Sequence, residues 1–250
     1  MASDKFFLGY IPGRLSAPKR YAKVSTMMDK RLILQAAGKC LAGLLLVSLL
    51  LFLPAGTLGY WYGWLFIGVL FVPMLIAGIV LLLRAPELLK KRLSAKEEQT
   101  EQKVVLVLSG VMFLAAFIVA GLNYRFDWLV LPKWAALAAA LLFLGGYAMY
   151  AEVLRENAYL SRTVEVQENQ QVIDTGLYGV VRHPMYAATL LMFLSMGFVL
   201  GAPISFLILL LYVPIIALRI KNEEAVLTEG LEGYAAYKER VKYKVIPYIW

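Results

Sequence analysis

Four long stretches of this chain carry no Asp, Glu, Lys, Arg or His: Leu41 to Leu83, Val104 to Tyr124, Trp134 to Ala151 and Pro184 to Leu218. A helix needs roughly 20 mainly apolar residues to cross a bilayer, so each stretch holds at least one span. The first splits at Pro54-Ala-Gly-Thr-Leu-Gly59, a tight turn between spans over about 36–53 and 60–83. Tyr60, Trp61, Tyr62 and Trp64 open the second of these as an interfacial aromatic belt. Two more spans are predicted over about 104–122 and 134–150, the latter continuing as a helix to Asn157. Pro184 to Leu218, drawn as one helix, would reach about 52 Å at 1.5 Å per residue, against roughly 30 Å of hydrocarbon. Gly201-Ala-Pro203 lies near its midpoint, and Gly and Pro are the strongest breakers. The stretch therefore reads as a hairpin of two short spans, about 184–200 and 203–218. The fold expected is an all-α, polytopic membrane bundle of about six transmembrane helices, including a C-terminal helical hairpin.

The polar segments complete three regions. Residues 1–35 form a basic amphiphilic lead with Lys19, Arg20, Lys23, Lys30 and Arg31; it is read as lying on the membrane surface, its first twenty residues equally as disordered. Residues 36–154 hold four spans and a charged connector, 84–103, read as a surface helix outside the bilayer. Residues 155–250 contain a polar loop, the hairpin and a tail. Within them Thr163–Gln167 alternates like a short strand, and Asn222–Trp250 reads as an amphipathic helix.

Composition agrees with a membrane protein. Hydrophobic residues make up 61% and charged ones 17%, against about 45–50% and about 25% in soluble domains. The formal charge of +8 reports topology and contact with anionic lipid head groups rather than nucleic acid. With six spans, every Lys and Arg except Arg125 and Lys133 falls on one side. Positive residues favour the cytoplasm, so both termini are expected there, in an integral multi-pass protein of a bacterial inner membrane. One cysteine, Cys40, permits no internal disulfide. One histidine and one cysteine leave no expected metal site. No A-x-A-like site follows the first apolar run, so no cleavable signal peptide is expected.

The candidate chemistry lies in two motifs that bracket the hairpin. One runs from Asp174 to Tyr186 and contains the only histidine, His183, between Arg182 and Pro184. The other is Arg219-Ile-Lys-Asn-Glu223-Glu224. Folding the hairpin back returns the second motif to the membrane face that His183 left. Arg182, His183, Arg219, Glu223 and Glu224 then gather with Tyr178 and Tyr186. Both charge signs beside aromatic faces suit a zwitterion that carries a second positive centre. S-adenosylmethionine is such a ligand: its carboxylate matches Arg or His, its ammonium and ribose match a carboxylate, and its sulfonium matches an aromatic face. No G-x-G-x-x-G follows a strand, and no G-x-x-x-x-G-K, G-x-S-x-G or Cys/His pair is present. Plainer readings stand beside these: His183 as a cap ahead of Pro184, the glutamates as a solvated face, Arg182 as an interfacial anchor, Tyr234 and Tyr237 as packing residues.

The run Thr175-Gly-Leu-Tyr-Gly-Val-Val-Arg-His-Pro-Met-Tyr186, then a hairpin, then Arg219-Ile-Lys-Asn-Glu-Glu-Ala-Val-Leu227, resembles the isoprenylcysteine carboxyl methyltransferase family. So does the ending Gly233-Tyr-Ala-Ala-Tyr-Lys-Glu-Arg-Val-Lys-Tyr-Lys-Val-Ile-Pro247. The wider group includes the phospholipid N-methyltransferases. The likeness covers about Arg155 to Trp250, with Arg155-Glu-Asn157 similar to the polar start of the family's cytoplasmic loop; the first three spans are not diagnostic. It implies a membrane methyltransferase that uses S-adenosylmethionine. Tyr178, Arg182, His183, Tyr186, Glu223 and Glu224 are the implied cofactor residues, and Arg219, Glu223 and Asn157 the catalytic ones, with Arg219 orienting an anionic acceptor. The implied partners are membrane lipids and a lipophilic acceptor entering sideways from the bilayer, with no nucleic acid and no metal. Ala187-Ala188 departs from the glycine that many relatives carry after the tyrosine. A lipid amine, a small thiol and a lipophilic carboxylate all fit such a site. Two other functions stand as alternatives: a sterol- or enone-reductase-like enzyme using a nicotinamide cofactor, and a non-catalytic scaffold or transporter.

Overall fold

The computed structural model describes residues 30–94, 100–157, 159–160 and 166–250. The N-terminal lead up to residue 29 and most of the Thr163–Gln167 stretch lie outside them. Val166 and Gln167 are irregular, and the described residues contain no strand.

The chain forms α1 (Lys30–Ala55), α2 (Trp61–Arg84), α3 (Pro86–Ser94), α4 (Thr100–Phe126) and α5 (Lys133–Glu156). A 3₁₀ turn (Gly176–Gly179) precedes α6 (Pro184–Val199), α7 (Pro203–Leu209), α8 (Tyr212–Gly230) and α9 (Tyr234–Arg240). Among the described residues five helical segments are long and apolar enough to cross a membrane: α1, α2, Gln102–Phe126 of α4, α5, and α7 with α8 as one segment, Pro203–Gly230. The shorter apolar α6 brings the bundle to the expected six crossings.

Helix ends follow local chemistry. Pro54 was expected to open a turn, but α1 carries it in its last turn, and the reversal falls on Gly56–Gly59. Pro184 and Pro203 start α6 and α7 at the first helical position, where a missing N–H costs nothing. Between them Gly201 adopts φ 66°, which only glycine accepts readily. The second arm of the hairpin is interrupted at Leu210–Leu211. Pro214, one turn further on, has no N–H for the Leu210 carbonyl, which accepts from Val213 N at 3.1 Å instead.

The tail departs from the single amphipathic helix expected over Asn222–Trp250. The helix stops at Gly230, Gly233 takes φ 82°, and α9 is a separate short helix. Residues 241–250 form an irregular strap. Its carbonyls accept non-local hydrogen bonds, from Arg182 N to Tyr243 O at 2.9 Å and from His183 N to Lys244 O at 2.8 Å. Continuing the helix would forfeit these bonds.

The core lies where α2, α4, α5, α6 and the α7–α8 arm meet, around Phe66, Ala116, Phe143, Leu200 and Leu209. Small residues let the backbones approach, as in other membrane bundles. At Gly146 of α5, a Cβ would stand 2.4 Å from Cγ of Met192 and 3.0 Å from the Ala188 carbonyl on α6. Buried hydroxyls find partners, as hydrocarbon demands. Tyr60 donates to Leu200 O and Tyr147 to Leu70 O, both at 2.7 Å, and Ser205 donates to Ala116 O at 2.8 Å. Leu45, Leu49, Ile76 and Ile79 on the outer faces of α1 and α2 are exposed, the arrangement that lipid requires.

Candidate active site

The cleft is built at one end of the hairpin, where α6 begins and α8 leaves the apolar layer. Its other walls are the end of α5, the loop before α6, and α9. Loop and helix are tied together by Thr175 Oγ1, which donates to Glu156 Oε2 at 2.8 Å, and by a surface pair of Arg240 with Asp174 at 2.7 Å.

His183 sits at the N-cap of α6 but makes no side-chain cap bond. Its Nε2 lies 3.2 Å from Glu224 Oε1. The same carboxylate oxygen accepts from Arg182 Nε at 2.7 Å, and all three side chains are buried. The guanidinium also donates through Nη1 to Val241 O at 2.7 Å and Lys242 O at 2.9 Å. Arg182 thus fastens α8 and the strap to the start of α6. Lys244 and Lys238 add weaker attraction to Glu224, at 3.8 and 4.0 Å.

A second network faces the cleft. The Tyr186 hydroxyl donates to Glu223 Oε2 and accepts from Arg219 Nε at 2.9 Å. The Tyr186 ring stacks near that of His183, with centroids 5.6 Å apart and planes 28° apart. On the opposite wall, Asn157 Nδ2 donates to the Tyr178 hydroxyl at 2.9 Å, and Tyr237 donates to the Tyr178 carbonyl at 2.8 Å. Burial pushes the Tyr178 hydroxyl up to about 12, although the Asn157 hydrogen bond acts against it. Burial likewise raises Tyr234 and Tyr237, so these phenols are neutral near pH 7.

Of the eight residues singled out from sequence, seven line the cleft: Asn157, Tyr178, Arg182, His183, Tyr186, Arg219 and Glu223. Glu224 does not line it; it stands behind His183, occupied by Arg182. Sequence reasoning left out Gln170, Gln171, Val172, Leu227 and Leu231, and assigned Tyr234 and Tyr237 to packing alone. Both tyrosines are packed in a small second core with Leu231 and Val241, and both also line the cleft. Their i, i+3 spacing was the only available signal, and packing explains that spacing equally well.

The geometry assembles one carboxylate at the cleft surface, the guanidiniums of Arg182 and Arg219, a buried imidazole and several aromatic faces. Comparison with known proteins adds one positive finding. A comparison with curated proteins gives no match. Residues 134–232 match the family model described as phospholipid methyltransferase, a stretch that contains all eight candidate residues. The segment from α5 to the end of α8 is therefore similar to the phospholipid methyltransferases.

Proposed function

We propose that this protein is an S-adenosylmethionine-dependent methyltransferase of a lipophilic acceptor, similar to the isoprenylcysteine carboxyl methyltransferases, with its cleft facing the cytoplasm. The observation that carries the reading is the Glu223–Tyr186–Arg219 network beside His183 in a cleft with aromatic walls. This donor set fits the cofactor: a carboxylate for an ammonium or ribose, cations for a carboxylate, and rings for a sulfonium. The cytoplasmic orientation rests on charge. Among the described residues, the Lys and Arg other than Arg125 and Lys133 lie in segments toward the cleft end of the bundle.

When bound, the cofactor supplies an electrophilic methyl group. The chain's own part is to bind, orient and exclude water. Glu223, with the Tyr186 hydroxyl donating to it, offers a fixed carboxylate. Tyr178 is a neutral phenol braced by Asn157. Arg219, fixed through Tyr186, orients an anionic acceptor. A carboxylate acceptor needs no base, because its oxygen is already a nucleophile. The Arg182–Glu224–His183 cluster holds the walls in register rather than taking part in transfer.

A lipophilic acceptor is supported by a second cavity of about 720 Å³, walled by α5, α6, Phe206 of α7 and the strap. Its lining is almost wholly apolar, including Leu190, Leu194, Phe198 and Trp250. Ala187, on the turn of α6 that carries Tyr186, stands at its edge, so an acyl or isoprenoid chain lying there would bring its polar end toward the cleft.

The test is Glu223→Gln, which keeps volume and removes charge. S-adenosylhomocysteine binding should fall by at least about tenfold, the scale of a lost charged hydrogen bond, with the melting temperature unchanged. Wild-type affinity in this variant would refute the role given to Glu223.

A further inference from the structure

The outer face of the strap carries a cavity that methyl transfer does not use. Residues 246–250 close on themselves: Trp250 N donates to Ile246 O at 3.0 Å, and the N–H groups of Lys244, Val245 and Ile246 donate to Trp250 O at 2.9, 2.8 and 2.9 Å. Tyr248, at the tip of this loop, takes φ 64°. With its backbone polar groups turned inward, the loop leaves apolar side chains outside: Tyr248 is 86% exposed and Ile249 79%. Ile246 is exposed too, as is Val180 just after the 3₁₀ turn.

Between this loop and the 3₁₀ turn lies a cavity of about 340 Å³, walled by Gly179, Val180, Arg240, Lys242, Tyr243 and Tyr248. The Tyr243 and Tyr248 rings stand 5.2 Å apart. Two of the lining residues are cations and none is an acid. Arg240 spends one nitrogen on Asp174, yet its side chain remains 63% exposed; Lys242 is exposed and makes no ion pair among the described residues. A concave surface lined by one sign of charge attracts the opposite sign. The cavity shares no lining residue with the cleft. It does share Pro247 with the apolar cavity walled by α5, α6 and the strap, which sets it where the polar cap meets the hydrocarbon layer.

We propose that this cavity binds the phosphate head group of an anionic bilayer phospholipid, with Arg240 and Lys242 pairing the phosphate and Val180, Ile246 and Ile249 lying along the acyl chains. A guanidinium and an ammonium give a phosphate diester charge-assisted hydrogen bonds. Tyrosines at the head-group level bury their rings and keep their hydroxyls wet. A soluble phosphate would satisfy the two cations and leave the apolar rim in water, so the rim selects a lipid. This lipid is a resident of the bilayer and not the methyl acceptor, and the inference stands independently of the reaction. Because the carbonyls of Tyr243 and Lys244 hold the backbones of Arg182 and His183, a lipid seated here fastens to the membrane surface the segment that braces the cleft.

The experiment is native mass spectrometry of the full-length protein in detergent, titrated separately with dioleoylphosphatidylglycerol and dioleoylphosphatidylcholine. Phosphatidylglycerol should bind saturably and at least about fivefold more tightly, the worth of one cation beside an anionic lipid. Lys242→Gln, which breaks no described ion pair, should weaken it by about fivefold, and Arg240→Gln/Lys242→Gln by about twenty-fivefold. Lys133→Gln, at the start of α5, should bind as wild type does. Inorganic phosphate at matched concentration should leave the lipid in place. Equal affinity for the two lipids, unchanged affinity in Lys242→Gln, or an equal loss in Lys133→Gln would overturn the site. Displacement by inorganic phosphate would assign the cavity to a soluble anion and overturn the lipid.

Discussion

At the scale of single residues, the site separates groups that face the cleft from groups that hold it. Glu223 and Glu224 are adjacent in sequence and look equivalent there. A helix turns about 100° per residue, so the two carboxylates leave α8 in different directions. One meets Tyr186 in the cleft; the other is buried against Arg182 and His183. Their mutants should therefore differ. Arg182→Met leaves the Glu224 carboxylate without its principal partner and frees the Val241 and Lys242 carbonyls. It should destabilise the fold by about 3–5 kcal/mol, read as a fall in melting temperature in detergent, whereas Glu223→Gln should not. Equal melting of Arg182→Met and wild type would contradict the clamp. The pairing of His183 with Glu224 was legible in outline from the hairpin argument. The division of labour between the glutamates was not, because it depends on the rotation of α8 about its axis.

Among the elements, the apolar run lengths and the Gly201-Ala-Pro203 break announced six crossings and a hairpin, because hydrocarbon thickness and breaker chemistry leave few alternatives. Pro214 was visible too, but the uninterrupted apolar run around it hid the interruption at Leu210–Leu211. Arg219 and Glu223 lie on the helix that follows it. Pro214→Ala restores an N–H for the Leu210 carbonyl and removes the ring from its path, so α7 and α8 should join as one helix. The expected result is weaker S-adenosylhomocysteine binding without loss of thermal stability; unaltered affinity would show that the interruption does not position the site. The α5–α6 contact admits no such latitude. Gly146→Leu must displace Met192 and the Ala188 backbone, and a cost of about 1–3 kcal/mol is expected from overpacking, measured by thermal unfolding. The tail was the element read least well. A helical pattern in sequence cannot report that strap carbonyls bond Arg182 and His183 some sixty residues upstream.

For the whole molecule, two compartments are joined at α6: an apolar bundle that lipid surrounds, and a polar cap made by the loop, α9 and the strap. The proposed orientation, with the cap in the cytoplasm, rests on the distribution of Lys and Arg and can be measured. On a Cys40→Ser background, a cysteine at exposed Lys242 should react with a membrane-impermeant maleimide only from the cytoplasmic side, and one at exposed Asp127 only from the opposite side. The reverse pattern would invert the topology. In the proposed orientation the cleft would have access to nucleotide-derived cofactors, and the apolar cavity lined by α5 and α6 would lie beside the bilayer. That combination is what methyl transfer between a polar donor and a lipophilic acceptor requires.

The most direct test is calorimetric titration of the purified protein with S-adenosylhomocysteine and, separately, NADPH, for wild type and His183→Ala. The expected result is saturable binding of S-adenosylhomocysteine by wild type, its loss in the variant, and no binding of NADPH. Binding of NADPH alone would assign the cleft to a nicotinamide-dependent reductase, and binding of neither would leave the bundle without the catalytic role argued for it.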